Sequence, residues 1–141
     1  MTIAVYHNPN CTTSCDVIRF VSESNQPHVI IPYLEAGWTR AQLLGLFAAA
    51  DVTPRQALRM TNSPAESLGL TDPSITDDAL IDAMIQDPIL VERPFVCSPK
   101  GVRLCRPMQR VLDLLESWPA GSWSTTKGTE ILNAMGHRLV D

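Results

Sequence analysis

The residue with the clearest capacity for chemistry in this sequence is Cys11. It follows the turn-prone run His7-Asn8-Pro9-Asn10 and directly precedes Thr12, where a helical pattern begins. A thiol reacts as its thiolate, and the unpaired N–H groups and macrodipole at a helix N-terminus favour negative charge. We therefore expect Cys11 to be an activated nucleophile; the alternative is a small buried apolar residue, as free cysteines often are.

The same helix start is suited to binding an anion beside the sulfur. Backbone N–H groups of residues 12–15 would face a tetrahedral oxyanion, and the hydroxyls of Thr12, Thr13 and Ser14 add hydrogen-bond donors. His7 would hold the thiolate through charge or a hydrogen bond, or would only satisfy carbonyl groups of the loop. Nucleophile and anion site are thus expected to coincide.

Three arginines lie at the edges of predicted elements, where side chains converge on a site more readily than from exposed helix faces. Arg59, Arg93 and Arg106 are next to prolines or Thr- and Asn-rich turns. A guanidinium group matches a tetrahedral oxyanion with two hydrogen bonds and stays charged at any working pH. Each arginine taken alone is more often a solvated surface residue, so the residue types leave their role open.

The elements that carry these residues alternate between strand and helix. Short apolar runs at 3–6 and 29–31 are typical of buried strands, and apolar residues recur at helical spacing from Thr12 onward. Two further apolar runs, 95–97 and 102–104, flank a turn and predict a β-hairpin. This alternation is that of an α/β fold.

Further helices are predicted through the middle and end of the chain. Their capped or proline-opened starts fall at Thr39, Thr53, Thr76 and Pro107. The helix from Thr53 must be short, since Asn62-Ser63-Pro64 follows it, and past Trp118 there is only a weak helical stretch through 131–135. We predict a single domain over 1–141 with a helical insert at about 39–88 and a C-terminal tail from about 118.

The composition excludes several classes of protein. With 45% hydrophobic and 18% charged residues, the chain lacks the signature of disorder. Its net charge is −4 and its basic residues are scattered, so the cluster of positive charge typical of nucleic-acid binding is missing. Because no export signal or membrane-spanning apolar segment is evident, we expect a cytoplasmic chain without a membrane partner.

The remaining cysteines bear on redox chemistry and metals. Cys97 and Cys105 lie among apolar residues of the predicted hairpin and are interpreted as structural thiols. Together with Cys11 and Cys15 they match no usual zinc spacing, so no metal is predicted. Any disulfide is expected to be catalytic rather than structural.

Taken together, these motifs resemble a known family. The motifs similar to those of glutaredoxin-linked arsenate reductases are His7-Asn8-Pro9-x-Cys11-x-x-Ser14, Arg59, Glu92-Arg93-Pro94 and Arg103-Leu104-Cys105-Arg106-Pro107. Further likeness at 32–35, at 76–78 and past Trp118 extends the resemblance over nearly the whole chain. It implies a thioredoxin-like α/β fold with a mixed β-sheet, flanking helices and a helical insert.

The resemblance also implies a reaction. Cys11 becomes the nucleophile that forms a covalent arsenate adduct, with His7 and Ser14 supporting its thiolate. The oxyanion-binding arginines become Arg59, Arg93 and Arg106, and the peptide bond before Pro94 is expected to be cis. Glutathione then attacks the adduct, arsenite leaves, and glutaredoxin reduces the mixed disulfide. The partners are arsenate, glutathione and glutaredoxin, with glutathione a co-substrate and no bound cofactor.

Cys15 departs from the family pattern, which usually has arginine after the serine. The loss of a positive charge from the first helical turn is expected to make Cys11 less acidic. An i, i+4 pair has Cα atoms about 6 Å apart, within disulfide reach if the first turn deforms. Cys15 is therefore a candidate resolving thiol, with a buried or idle thiol as the alternative.

Two other functions stay open at this point. One is a redox-sensing transcriptional regulator of the same fold that binds RNA polymerase and senses oxidants through a Cys-x-x-Cys switch, although Ser14 occupies the second cysteine position here. The other is an arsenate-inactive, glutathione-dependent thiol reductase, which the departure at Cys15 keeps open. Arsenate-dependent consumption of NADPH would separate both from an arsenate reductase.

Overall fold

Residues 2–141, described by a computed structural model, fall into two units. One unit runs up to Ile31 and resumes over Arg93–Asp141, and the other is Pro32–Glu92. The segment predicted as a helical insert lies within the second unit. That the whole chain is a single domain stays a prediction.

The apolar runs of the first unit form a four-stranded mixed sheet. Its strands are β1 (Ile3–Tyr6), β2 (His28–Ile31), β3 (Phe95–Ser98) and β4 (Gly101–Leu104), in the order β2-β1-β3-β4. β1 pairs in parallel with β2 and antiparallel with β3, while β3 and β4 form the predicted hairpin. The sequence prediction of a mixed α/β sheet is confirmed.

Helix α1 (Thr12–Glu23) joins the two parallel strands, because such strands need a crossover connection. Its Val17, Phe20 and Val21 are fully buried and share one core with Val5 and Val96 of the sheet. Burying each of these side chains contributes about 1.5–3 kcal/mol. The helix that begins at the candidate site is therefore packed into the core through its middle turns.

The segment that follows β4 is also helical, but it is tighter than expected. The helix predicted to open at Pro107 is a 3-10 helix over Met108–Leu114. Its Met108, Val111 and Leu112 belong to the same core as α1.

The end of the chain differs from the predicted weak helix. It forms an antiparallel pair of short strands, β5 (Trp123–Ser124) and β6 (Glu130–Leu132). Gly128 and Gly136 adopt positive φ, which permits tight turns and interrupts a helix. The Trp123 ring packs edge-on against Phe20 of α1 with centroids 4.9 Å apart. Tertiary burial has therefore overridden the weak local helical pattern.

In the second unit, two predicted helices are present and one is not. The helices are α2 (Tyr33–Ala36), α3 (Arg40–Ala50), α4 (Asp77–Gln86) and a 3-10 turn (Pro88–Leu90). Thr39 forms the predicted capping box with Gln42, and Thr76 caps α4 by accepting the Ala79 N–H. Both starts satisfy N–H groups that the helix leaves unpaired.

The prediction of a helix from Thr53 is wrong, although Thr53 and Gln56 do exchange capping hydrogen bonds. The chain forms a single turn there and then pairs with the segment around Val91. The Arg59 N–H donates to the Leu90 carbonyl, and the Glu92 N–H donates to the Ala57 carbonyl, both at 2.7 Å. These non-local backbone bonds replace the helical ones.

Within residues 2–141, no helix combines the length and apolarity needed to cross a bilayer.

Candidate active site around Cys11

Cys11 lies at the junction between the loop after β1 and helix α1, as predicted. It is the N-cap residue, with extended dihedral angles (φ −110°, ψ 118°), and its carbonyl accepts the Cys15 N–H at 3.0 Å. Its own N–H donates to the Asn8 carbonyl at 3.1 Å, and only 7% of the residue is exposed. The sulfur is therefore held at the positive end of a twelve-residue helix.

The β3–β4 hairpin brings two of the predicted arginines together. Phe95 pairs with Leu104, so the residues just before β3 and just after β4 emerge at the same end of the hairpin. Arg106 Nη1 donates to the Arg93 carbonyl at 3.1 Å and to the Cys11 sulfur at 3.5 Å. Arg93 itself is buried. The register of a hairpin thus places both guanidinium groups at the start of α1.

Both arginines precede prolines in cis peptide bonds. The Arg93–Pro94 bond is cis, which confirms the prediction made from the family resemblance. The Arg106–Pro107 bond is also cis, which the sequence did not indicate.

The charge state of Cys11 follows from competing effects. Burial alone would raise the pKa of its thiol. The nearby Ser14 backbone N–H, the Arg93 and Arg106 side chains, and the positive charge of Arg106 outweigh burial and lower the pKa below the ordinary thiol value. The thiolate therefore persists to lower pH than that of an exposed cysteine, which is the property a nucleophile needs.

His7 and Ser14 lie together beside the cysteine. His7 Nδ1 and Ser14 Oγ share a hydrogen bond of 2.6 Å, and the same hydroxyl oxygen accepts the Asn8 N–H at 3.1 Å. Burial lowers the pKa of His7, which favours its neutral form. The Ser14 hydroxyl therefore ties the loop to the first turn of α1. That His7 and Ser14 support the thiolate chemically stays a prediction.

Thr12 and Thr13 occupy the first turn of α1, as predicted. Both line a cleft of about 300 Å3, together with Gln109 and with Lys127 of the loop between β5 and β6. Across residues 2–141, no group of three or more His, Cys, Asp or Glu side chains that could hold a metal is found.

All four cysteines are free thiols. Cys15 is exposed, and its thiol donates to the Pro9 carbonyl at 3.3 Å. Burial and the neighbouring charges of Cys11 and Asp16 raise its pKa. Burial likewise raises the pKa values of Cys97 and Cys105. Cys11 is thus the cysteine whose pKa is lowered.

Arg59 belongs to the second unit. Its Nη1 forms an ion pair with Glu92 at 3.1 Å, and its Nε donates to the Thr61 carbonyl at 2.8 Å. Its predicted role in binding the oxyanion stays a prediction.

Asp16 is a supporting residue that the sequence did not indicate. This carboxylate is buried in α1, where it accepts the Thr126 hydroxyl at 2.6 Å and the Thr126 N–H at 3.1 Å. It also pairs with Arg19, which stacks over the Trp123 ring at 3.9 Å. The contact joins residues 110 apart, so no local pattern signals it. Asp16 anchors the C-terminal strands to the helix that carries Cys11.

Comparison with known proteins places the chain in a family of enzymes. The profile of the ArsC family matches residues 6–114. The arsenate reductase ArsI2 of Synechocystis sp. is 51% identical over 97% of this chain and 98% of its own length, and the arsenate reductase of Escherichia coli K12 is 42% identical over 97% of each. A solved structure of an arsenate reductase from Vibrio cholerae superposes with a TM-score of 0.76 at 31% identity, covering 82% of this chain and 98% of its own. The predicted thioredoxin-like fold class is confirmed.

Proposed function

Because this chain belongs to the ArsC family, we propose that it is an arsenate reductase in which Cys11 attacks arsenate to form a covalent adduct. The observation that carries the proposal is the Arg106 guanidinium 3.5 Å from a nearly buried sulfur at a helix N-terminus. A thiolate and an oxyanion repel each other, and this arrangement supplies positive charge to both.

In the first step, the Cys11 thiolate attacks arsenic, a sulfur–arsenic bond forms, and one arsenate oxygen leaves as water after taking up protons. The guanidinium groups of Arg93 and Arg106 and the N–H groups of the first turn of α1 would bind the remaining oxygens. Donors already in place cost no reorganisation as charge develops, which makes such stabilisation effective. Arg59 is the third arginine that the family resemblance assigns to the oxyanion.

In the second step, the glutathione sulfur bonds to the Cys11 sulfur, the sulfur–arsenic bond breaks, and its electron pair stays on arsenic, which leaves as arsenite. Glutaredoxin then removes glutathione from the mixed disulfide by thiol exchange. This half of the reaction is supported by the resemblance of the Cys11 loop and the arginine motifs to those of glutaredoxin-linked enzymes. Glutathione therefore acts as a co-substrate rather than a bound cofactor.

The test is arsenate-dependent NADPH consumption with glutathione, glutaredoxin and glutathione reductase. The native chain and Cys97→Ser, which changes a thiol on β3, are expected to turn over, and Cys11→Ser is expected to be inactive. No dependence on arsenate in the native chain would contradict the proposal. If the chain instead reduced a model glutathione mixed disulfide without any response to arsenate, a general thiol reductase would be favoured.

A further inference from the structure

We propose that Cys15 is a second redox thiol, which attacks the Cys11–arsenate adduct from within the chain and expels arsenite as a Cys11–Cys15 disulfide forms. The inference rests on the proposed function, because that adduct is its substrate. It adds a route for releasing the product that does not need glutathione in the first turnover.

The usual objection to a bridge between residues i and i+4 is that regular helical geometry rarely suits it. That objection assumes that both cysteines are helical. Cys11 is instead the N-cap, with φ −110° and ψ 118°, and only its carbonyl joins the helix through the Cys15 N–H. Rotation at Cys11 therefore changes the direction of its sulfur without breaking the backbone bonds of later turns.

The Cys15 side chain points toward the loop that leads into Cys11. Side chains of a helix tilt toward its N-terminus, and the Cys15 thiol accordingly donates to the Pro9 carbonyl at 3.3 Å. A thiol is a weak hydrogen-bond donor, so this contact holds the sulfur near the loop but is readily exchanged. Cys15 is also exposed, which gives its sulfur room to move.

The other two thiols are less well placed. Cys105 is completely buried among core residues, and Cys97 lies within β3, paired with Ala4 and Val102. Both are fixed by the sheet and its core, whereas Cys15 is in the same helical turn that Cys11 caps. Of the three other thiols, Cys15 is thus the one best placed to reach the adduct.

The step balances without an outside reductant. The Cys15 sulfur bonds to the Cys11 sulfur, the sulfur–arsenic bond breaks, and its electron pair reduces arsenic from the pentavalent to the trivalent state. The proton of the Cys15 thiol goes to an oxygen of the departing arsenite. The two sulfurs are oxidised to a disulfide, which the glutathione and glutaredoxin of the proposed function would reduce before the next turnover.

The experiment is a single turnover of the full chain, fully reduced and then freed of all small thiols, with arsenate added. Arsenite released is measured by chromatography with elemental detection, and the protein by mass spectrometry. The native chain and the control Cys97→Ser are expected to release about one arsenite per chain and to lose two hydrogen atoms, with a Cys11–Cys15 linked peptide. Cys15→Ser should release at least about tenfold less, and Cys11→Ser none.

Two results would overturn the inference: a native chain that releases no arsenite without glutathione, or Cys15→Ser that releases as much as the native chain. A parallel assay with glutathione and glutaredoxin separates the two proposals. If the native chain turns over arsenate there but releases none in the single turnover, the role of Cys15 fails and the proposed function stands. If neither assay shows a reaction with arsenate, both fail.

Discussion

Replacing Arg106 by methionine removes the positive charge beside the Cys11 sulfur and keeps most of the apolar stem of the side chain. In the native chain Arg106 Nη1 lies 3.5 Å from that sulfur. At this separation, opposite unit charges attract by about 1 kcal/mol in bulk water and by about 5 kcal/mol at the effective dielectric constant typical near a protein surface. Because Cys11 is nearly buried, we expect the loss to lie between these limits.

The lost attraction determines how far the fraction of reactive thiolate decreases. Each 1.4 kcal/mol is a factor of ten, so at a pH below the thiol pKa the thiolate fraction should fall by roughly tenfold to a few thousandfold. The pKa of Cys11 moves upward in Arg106→Met, because the charge that favours the anion has gone. The thiolate fraction of Arg106→Lys should lie between those of the native chain and Arg106→Met, since lysine keeps the charge but not the planar set of donors.

The assay is the rate at which iodoacetamide alkylates the Cys11 peptide at a series of pH values, quantified by mass spectrometry. Arg103→Met is the matched control, because Arg103 is half exposed on β4 and pairs with Asp113 rather than with the cysteine. It removes the same charge and should leave the profile of Cys11 within about twofold. A profile for Arg106→Met that overlays that of the native chain would refute the assignment of Arg106 as the group that stabilises the thiolate.

Three further outcomes can be measured. Ser14→Ala leaves the buried Asn8 N–H unpaired and should lower the free energy of unfolding in urea by about 1–3 kcal/mol. Asp16→Ala should lower it by a similar amount, about 1–3 kcal/mol, because the Thr126 donors lose their acceptor. Since folding lowers the pKa of Cys11, the stability of the native chain relative to Cys11→Ser should increase as pH rises from the folded pKa to the ordinary thiol value, and then level off.

Exposed positions provide the controls for the two alanine substitutions. Ser22→Ala on the exposed face of α1 and Asp82→Ala on α4 should each change stability by less than about 0.5 kcal/mol. Losses as small as these for Ser14→Ala or Asp16→Ala would show that their buried hydrogen bonds do not contribute as argued. A stability difference between the native chain and Cys11→Ser that is independent of pH would contradict the lowered pKa.

The parts of the fold that could be predicted from sequence are those fixed by local patterns. An apolar run that ends in Asn8-Pro9 becomes β1, and the capping box at Thr39 begins α3. The capping residues at Thr53 were equally good locally, yet the helix is absent because the backbone at 57–59 bonds to that at 90–92. A pattern within a few residues carries no information about a partner so far along the chain.

The candidate site likewise has parts set by local sequence and parts set by distant contacts. Cys11 and its helix could be predicted because strand, loop and helix start are contiguous in the sequence. The distance between Arg106 and the sulfur could not, because it joins residues 95 apart and depends on the register of the β3–β4 hairpin. The Asp16–Thr126 contact was even less predictable from the sequence, since it depends on C-terminal strands where the local pattern indicates a helix.

The sequence predicts that Cys11 is less acidic than in relatives that have arginine at position 15, because Cys15 stands there instead. That comparison with relatives stays a prediction, but the pKa of Cys11 lies below the ordinary thiol value without a positive charge at position 15. A charge at position 15 would be exposed and screened by solvent, whereas Arg106 bonds to the sulfur directly, and attraction falls with distance and dielectric constant. Activation of the nucleophile therefore does not depend on arginine at position 15, and that position is open to a thiol.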